Sequence, residues 1–481
     1  MSSPETDDPT GDIHPEEFRR FGHEVVDWIA DYLAGVDRLP VMPDLEPGAL
    51  RTALPDRAPE SPESLEAVLA DFREQVVPAT THWNHPSFHA YFANTASGPG
   101  ILGEMLAAAL NANAMVWRTS PSATELEEVV TDWVARMLGL PDDFRGVIND
   151  TASSSSLYAL AAAREMRLPE SWASGLAGAP PGRIYTSEEA HSSIRKAATT
   201  LGFGRDGVRA IATDDDFRMR PDALRDALED DRAAGVRPVA VVATIGTTST
   251  TAVDPVADIA PIAEEAGVWL HVDAAYAGPM AALPEFAAHF RGWERAHSIV
   301  VNPHKWLFTP MDCSLLYCRR PDQLRAAFSL TPEYLRTPEL ASGTNLMDYG
   351  VSLGRRFRAL KLWFVLRRFG VDGMVSRLRE HVRLTRVVQG WVEATPGWEV
   401  LAPCPFATLI FRHAPADLDE AALDRHNRAL MERVNRSGVA FFSHTEVRGR
   451  IGLRFSIGNL RTTEAHLRRT WGALESAAAE G

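Results

Sequence analysis

The sequence predicts an α/β protein: a mostly parallel central sheet flanked by helices, preceded by a helical segment and followed by a small α/β domain. Three observations predict it. Between Gly146 and Asn302, short apolar runs of strand length alternate with helical segments, the pattern of repeated strand–helix–strand units. Two of these runs lead to a side chain with chemical potential: Val268-Trp-Leu-His-Val-Asp273 ends in an acid, and Ser298-Ile-Val-Val-Asn302 is followed closely by Lys305. Open α/β sheets place their ligands beyond the carboxyl ends of such strands. Finally, strand-like runs at 398–401, 407–411, 439–442 and 451–457 lie among helices and suit a small domain of antiparallel character. The expected divisions are residues 1–97, 98–369 and 370–481.

The 481 residues exceed one ordinary domain, and 45% hydrophobic content supports a large core. A net charge of -15 argues against nucleic acid or an anionic membrane surface as partner. Cys313, Cys318 and Cys404 are few, odd in number and not spaced like metal ligands, so no metal is expected and a reducing cytoplasm fits. The polar, acidic first dozen residues do not read as a secretory leader. No apolar run approaches the roughly 20 residues of a membrane span.

Taken in order, residues 14–36 carry Phe18, Phe21, Val25, Trp28, Ile29, Tyr32 and Leu33 on one helical face. A proline-rich connection over 40–62 leads to a helix over 63–76. The aromatic and imidazole-rich stretch 82–94 has no regular period and suits a loop that fills core. Helices follow over 100–113 and 123–138, the second opened by a capping box of Ser122 and Glu125. A strand at 146–148 and the hydroxyl-rich turn Asn149-Asp-Thr-Ala-Ser-Ser-Ser-Ser156 then precede a helix over 157–166. Such a turn before a helix amino terminus can bind an anion through free N–H groups and the helix dipole. Strands at 184–186, 208–213 and 238–245 follow, with a helix over 222–234, and the third strand runs into Thr247. Residues 328–348 read as a long loop of the kind that covers active sites. A long helix begins near Leu353, with Lys361 an ordinary helix cation, and a closing helix starts at Thr463.

Lys305 stands out because the chain holds only three lysines, at 196, 305 and 361. A lysine can lose its proton when desolvated and attack a carbonyl, whereas arginine cannot. An Asp and a Lys at neighbouring strand ends meet the needs of pyridoxal phosphate (PLP): the amine condenses with the aldehyde, and the acid keeps the pyridine nitrogen protonated.

With its His271-Val-Asp-Ala-Ala-Tyr276 and Asn302-Pro-His-Lys-Trp306 strings, the chain resembles the group II PLP-dependent decarboxylases, most closely the aromatic-L-amino-acid decarboxylases. The resemblance runs from about Phe18 to about Trp471. It implies the aspartate-aminotransferase-like fold (fold type I), PLP as cofactor, and a homodimer whose amino-terminal segment packs across the partner. By the same resemblance, Thr151, Ala152 and Ser153 grip the cofactor phosphate and His191 lies over the ring. Thr247 sits near the ring oxygen, Asp273 is at the ring nitrogen, and Ala275, Asn302, His304 and Lys305 complete the cofactor site. Trp83, Tyr91, Phe92, Asn94, Asn113, Met115, His304 and Gly354 are the implied substrate contacts, with Asn113 and Met115 departing from the commoner family residues. Gly354, where some plant relatives carry Ser, leaves room for an indole or catechol.

The implied reaction is decarboxylation of an aromatic L-amino acid to its amine, with Lys305, Asp273 and His191 catalytic and Tyr334 of the long loop returning a proton. One rival is an aromatic aldehyde synthase, whose members tend to lack this Tyr or His. Others are a decarboxylase of non-aromatic amino acids, disfavoured by the aromatic faces at 83–92, and a non-catalytic binding protein, which would be expected to lack Lys305 or Asp273.

Overall fold

The computed structural model describes residues 11–330 and 343–480, so Tyr334 lies outside the described residues. The chain divides into two compact units, one formed by His89–Arg428 and Phe442–Thr462, the other by Met1–Phe88, Ala429–Phe441 and Thr463–Gly481.

The larger unit contains a seven-stranded sheet: β1 (Arg145–Asn149), β2 (Gly182–Ser187), β3 (Val208–Ile211), β4 (Arg237–Thr244), β5 (Trp269–Asp273), β6 (Ser298–Val301) and β7 (Ser314–Cys318). Their order is β1-β7-β6-β5-β4-β2-β3. The pairs from β6 through β3 are parallel, and β7 alone runs against its neighbours. Strands β4 to β6 are almost wholly buried, which is why they read as continuous apolar runs rather than alternating ones. β7 escapes the sequence reading because Ser314-Leu-Leu-Tyr-Cys318 is short and is separated from β6 by only the single helical turn Pro303–Trp306. A second sheet, β10-β11-β9-β8, is antiparallel throughout and consists of β8 (Trp398–Val400), β9 (Thr408–His413), β10 (Ser443–Val447) and β11 (Arg450–Ser456). The expected run at 439–442 is not a strand. Phe441 makes only an isolated bridge to Phe88, and sheet pairing begins at Ser443 opposite Arg454.

Local signals explain some helix ends and not others. The helix Pro121–Met137 opens at Pro121, whose ring suits the first helical position, with Ser120 as its cap. The expected capping box of Ser122 and Glu125 does not form, because Glu125 accepts the Trp117 indole N–H at 2.8 Å instead. The helix Ala152–Arg167 starts five residues earlier than expected, so the serine run is its first turn rather than a preceding loop. The long helix Arg358–Ala394 is interrupted at Gly370, whose φ of 65° lies in the left-handed region open to glycine. Lys361 is not an ordinary surface cation: it is 1% exposed, with Nζ 2.8 Å from Glu104 Oε2.

In the smaller unit, Pro15–Gly35 is helical, with Pro15 at its first position and the His14 ring accepting the Glu16 N–H. Trp28 stacks on Tyr32 and meets Phe72 edge-on, and the Tyr32 hydroxyl lies 3.0 Å from His82 Nδ1. The expected connection over 40–62 contains one short helix, Ala49–Ala53. Among the described residues no helix is long and apolar enough to cross a membrane.

Candidate active site

β5 and β6 are adjacent and parallel, with Asp273 opposite Val300, so the two expected groups emerge from the same end of the sheet. Asp273 is the last residue of β5, and its Oδ1 accepts the Ala275 N–H at 3.1 Å. Lys305 lies in the single helical turn Pro303–Trp306 that follows β6. Its ammonium is pushed down to about 8, first by burial and further by Arg454, against the opposing pull of Asp273. A fraction of this amine is therefore neutral near pH 7, as a nucleophile requires.

His191 is held below the ordinary histidine range, chiefly by desolvation. Asp273 opposes this shift, while Lys305 and Lys196 add to it. Its Nδ1 accepts the Ser193 N–H at 3.2 Å and lies 2.8 Å from Ser193 Oγ. The neutral ring thus carries its proton on Nε2.

At the end of β1 the chain enters the helix Ala152–Arg167 with Thr151 as its cap residue and no side-chain cap. Ser155 N already donates to Thr151 O, which leaves the N–H groups of Ala152, Ser153 and Ser154 for an anion. The Asn302 amide supports the same reading. His304 Nδ1 accepts the Cys313 N–H at 2.9 Å, and burial pushes this ring down to about 3, so it is neutral with its proton on Nε2. That N–H, 3.2 Å from the Asn302 amide, needs the amide oxygen as acceptor, which frees the buried amide NH2 as an unpaired donor. A free helix amino terminus, an unpaired amide donor, a partly neutral lysine and a carboxylate on the next strand fit a phosphorylated pyridine aldehyde.

Other expected residues are distributed unevenly. Ala275 is buried beside Asp273. The Thr247 hydroxyl accepts the Ala252 N–H and lies 3.2 Å from Thr250 Oγ1, so it is bonded within its own turn. Phe92 is buried, stacked on Tyr276 at 3.8 Å and lying under Lys305. Tyr91 is exposed with φ 52°, and Asn94 Nδ2 lies 3.7 Å from the Met311 sulfur. Asn113, Met115 and Gly354 form a second group: Asn113 accepts the Arg355 N–H at 2.9 Å, its amide lies 3.7 Å from the Met115 sulfur, and a side chain at Gly354 would first meet that amide at 3.8 Å. Trp83 belongs to the smaller unit, where its ring packs on Phe88 at 4.3 Å.

Two contributors were missed in the sequence. Arg454 on β11 is buried over the Phe92 ring, a position only the folded chain reveals. His271, two residues before Asp273 on β5, lies 3.1 Å from Ser156 Oγ and 2.8 Å from Ser298 Oγ. The period-two pattern of a strand places His271 and Asp273 on one face and could have drawn notice to it. Among the described residues no group of three or more His, Cys, Asp or Glu is placed to hold a metal.

A sheet with its reactive lysine and acid at adjacent strand ends, beside an uncapped helix amino terminus, defines the class of PLP-dependent α/β enzymes. Residues 47–414 match the model of the pyridoxal-dependent decarboxylase conserved domain. The chain belongs to that family. It is 41% identical over 475 residues to a phenylacetaldehyde synthase of Arabidopsis thaliana, covering 96% of each chain. It is 38% identical to an aromatic-L-amino-acid decarboxylase of Catharanthus roseus over 97% of this chain and 95% of the relative. The crystal structure of Oryza sativa TDC with PLP and tryptamine superposes with a TM-score of 0.95 at 38% identity, covering 98% of this chain and 99% of that one. The protein is a PLP-dependent carboxy-lyase of the aromatic-L-amino-acid decarboxylase type.

Proposed function

We propose that the protein removes the carboxylate of an aromatic L-amino acid as carbon dioxide and releases the arylalkylamine, with tryptophan or dopa favoured over phenylalanine and tyrosine. The observation that carries this is the pairing of a partly neutral Lys305 with Asp273 on adjacent parallel strands. The names of the relatives support the aromatic class. The open space at Gly354 favours a large ring.

Ala152 and Ser153 with the Thr151 turn, together with Asn302, would hold the cofactor phosphate, and Asp273 the pyridine nitrogen. His191 and Ala275 would flank the ring, with Thr247 and His304 nearby. When bound, PLP supplies an electron sink for the pair left behind by the departing carboxylate. Lys305 contributes an amine that is partly neutral near pH 7. His191 offers a proton on Nε2, which with Tyr334 is available to the carbon that has lost its carboxylate. Tyr91, Phe92, Asn94, Asn113 and Met115 remain the proposed substrate surround.

A homodimer is part of the proposal. The helix Gly98–Leu110 exposes Leu102, Met105, Leu106 and Leu110 on one side, an apolar stripe that a second copy would cover. The three cysteines are free and buried, in keeping with a reducing cytoplasm.

The test is to incubate the PLP-loaded protein in air with tryptophan, dopa, tyrosine and phenylalanine, and to identify products by mass spectrometry. One dominant amine is expected. The similarity to a phenylacetaldehyde synthase favours a second reading, an aromatic aldehyde synthase, which would give aldehyde, peroxide and ammonia. No product from any of the four would refute the aromatic assignment and leave a decarboxylase of non-aromatic amino acids.

A further inference from the structure

Arg454 is buried without a counter-ion among the described residues. Its Nε donates to Thr248 O at 2.9 Å and its Nη1 donates to the Tyr91 carbonyl, while Nη2 is buried with no hydrogen-bond partner. The guanidinium lies over Phe92, with Cζ 4.3 Å from the ring centroid, and Lys305 Nζ lies 4.9 Å from the same centroid. Tyr276, stacked on Phe92 at 3.8 Å, fills one face of that ring, so both cations share the other. The platform extends through further packed rings. Tyr276 stacks on Trp306 at 4.7 Å and 4°, the Trp306 indole donates to His381 Nδ1 at 2.9 Å, and His381 Nε2 lies 3.1 Å from Asn459 O.

Two neighbouring cations in a buried site each disfavour the other's charge, and only the lysine can yield its proton. We propose that Arg454 is a positioning residue that raises the neutral fraction of the Lys305 amine, through a fixed positive charge held on the free face of Phe92. This rests on the reading of Lys305 as the amine that receives the cofactor aldehyde. The ring partly offsets the repulsion by attracting both cations, which lets them coexist in the fold. Asp273 on β5 acts in the opposite sense, favouring the ammonium. His304 is neutral through burial, and His191 is likewise held below the ordinary range.

The test needs no turnover. The three lysines of the cofactor-free protein are labelled with trace acetic anhydride from pH 6 to pH 11 and quantified by peptide mass spectrometry, with exposed Lys196 as internal reference. Lys305 is expected to titrate below the ordinary lysine range. Arg454→Met should raise the Lys305 midpoint by about one pH unit, slowing its labelling at pH 7 about tenfold, and Arg454→Lys should restore it. Phe92→Leu removes the attraction of the ring but keeps both charges, so it should move the midpoint the other way. A purely structural role predicts no such opposed pair of shifts. An unchanged midpoint in folded Arg454→Met overturns the proposal. If that variant does not fold, a raised or unchanged midpoint in Phe92→Leu overturns it. Because acetylation reads the amine directly, failure to bind PLP would count against the cofactor role of Lys305 and leave this result standing.

Discussion

His271 Nε2 lies 3.1 Å from Ser156 Oγ, and its Nδ1 lies 2.8 Å from Ser298 Oγ, which also accepts the Trp269 indole N–H. One buried imidazole thus joins the helix whose amino terminus faces the proposed phosphate site to the strands that carry Asp273 and lead to Lys305. His271→Phe should cost roughly 1–3 kcal/mol by leaving buried hydroxyls unpaired. It should also weaken PLP binding beyond what the lost stability explains. Equilibrium titration of the cofactor, beside melts of the cofactor-free protein, checks this. Unchanged affinity in a folded variant would assign His271 to packing alone.

Lys305→Ala should abolish both turnover and the visible absorbance of protein-bound cofactor. Asp273→Asn should keep the absorbance but lower kcat by roughly 10²-fold or more, because a neutral amide cannot hold a proton on the ring nitrogen. Absorbance spectra and steady-state kinetics separate the two effects. Normal turnover in Lys305→Ala would refute its role.

Tyr334→Phe should shift products from amine toward aldehyde, since a carbon left without its proton donor is open to oxygen. The ratio of amine to aldehyde in air measures this, and an unchanged ratio removes Tyr334 from the proposed donor role.

Asp273 and Lys305 could be singled out in the sequence because they belong to short strings whose chemistry is local: an acid ending one buried strand and a lysine just past the next. The parallel sheet was legible for a related reason, since strands buried on both faces read as unbroken apolar runs. β7 was not, because it reverses direction after only the single helical turn Pro303–Trp306, with no long helix to announce it. Arg454 was invisible because 149 positions separate it from Lys305 and nothing in Leu453-Arg454-Phe455 reveals that its neighbour is Phe92. The capping box failed because tertiary structure offered Glu125 a better donor in Trp117.

The protein should lose stability steeply as pH falls from about 6.5 to 4. His271 and His381 are buried, and desolvation is the main cause holding each at about 4, against 6.5 when unfolded. Between those values the unfolded chain binds more protons, so stability is complete above the unfolded value and falls with acidification. Each ring contributes roughly 3 kcal/mol across the window. Chemical denaturation at several pH values gives the slope, and His381→Gln should flatten it. A slope unchanged in that variant would place the acid sensitivity elsewhere.

Lys361 offers a test of how much the helix contact on its backbone depends on charge. Gly103 of the helix Gly98–Leu110 packs against it so closely that an added Cβ would lie 2.7 Å from Lys361 Cα. The ammonium, buried under that contact, has Glu104 Oε2 at 2.8 Å as its ionic partner. Breaking the pair from the carboxylate side leaves a buried charge uncompensated, so Glu104→Gln should destabilise by about 3–5 kcal/mol. Lys361→Met removes the charge together with the need for a partner and should be far milder, neutral or even stabilising. In Glu104→Gln the second change, Lys361→Met, should then recover most of the loss, a non-additivity that urea denaturation of the two single variants and the double variant reads directly. Additive losses would mean that Glu104 acts through Arg356, its other partner, rather than through the buried lysine.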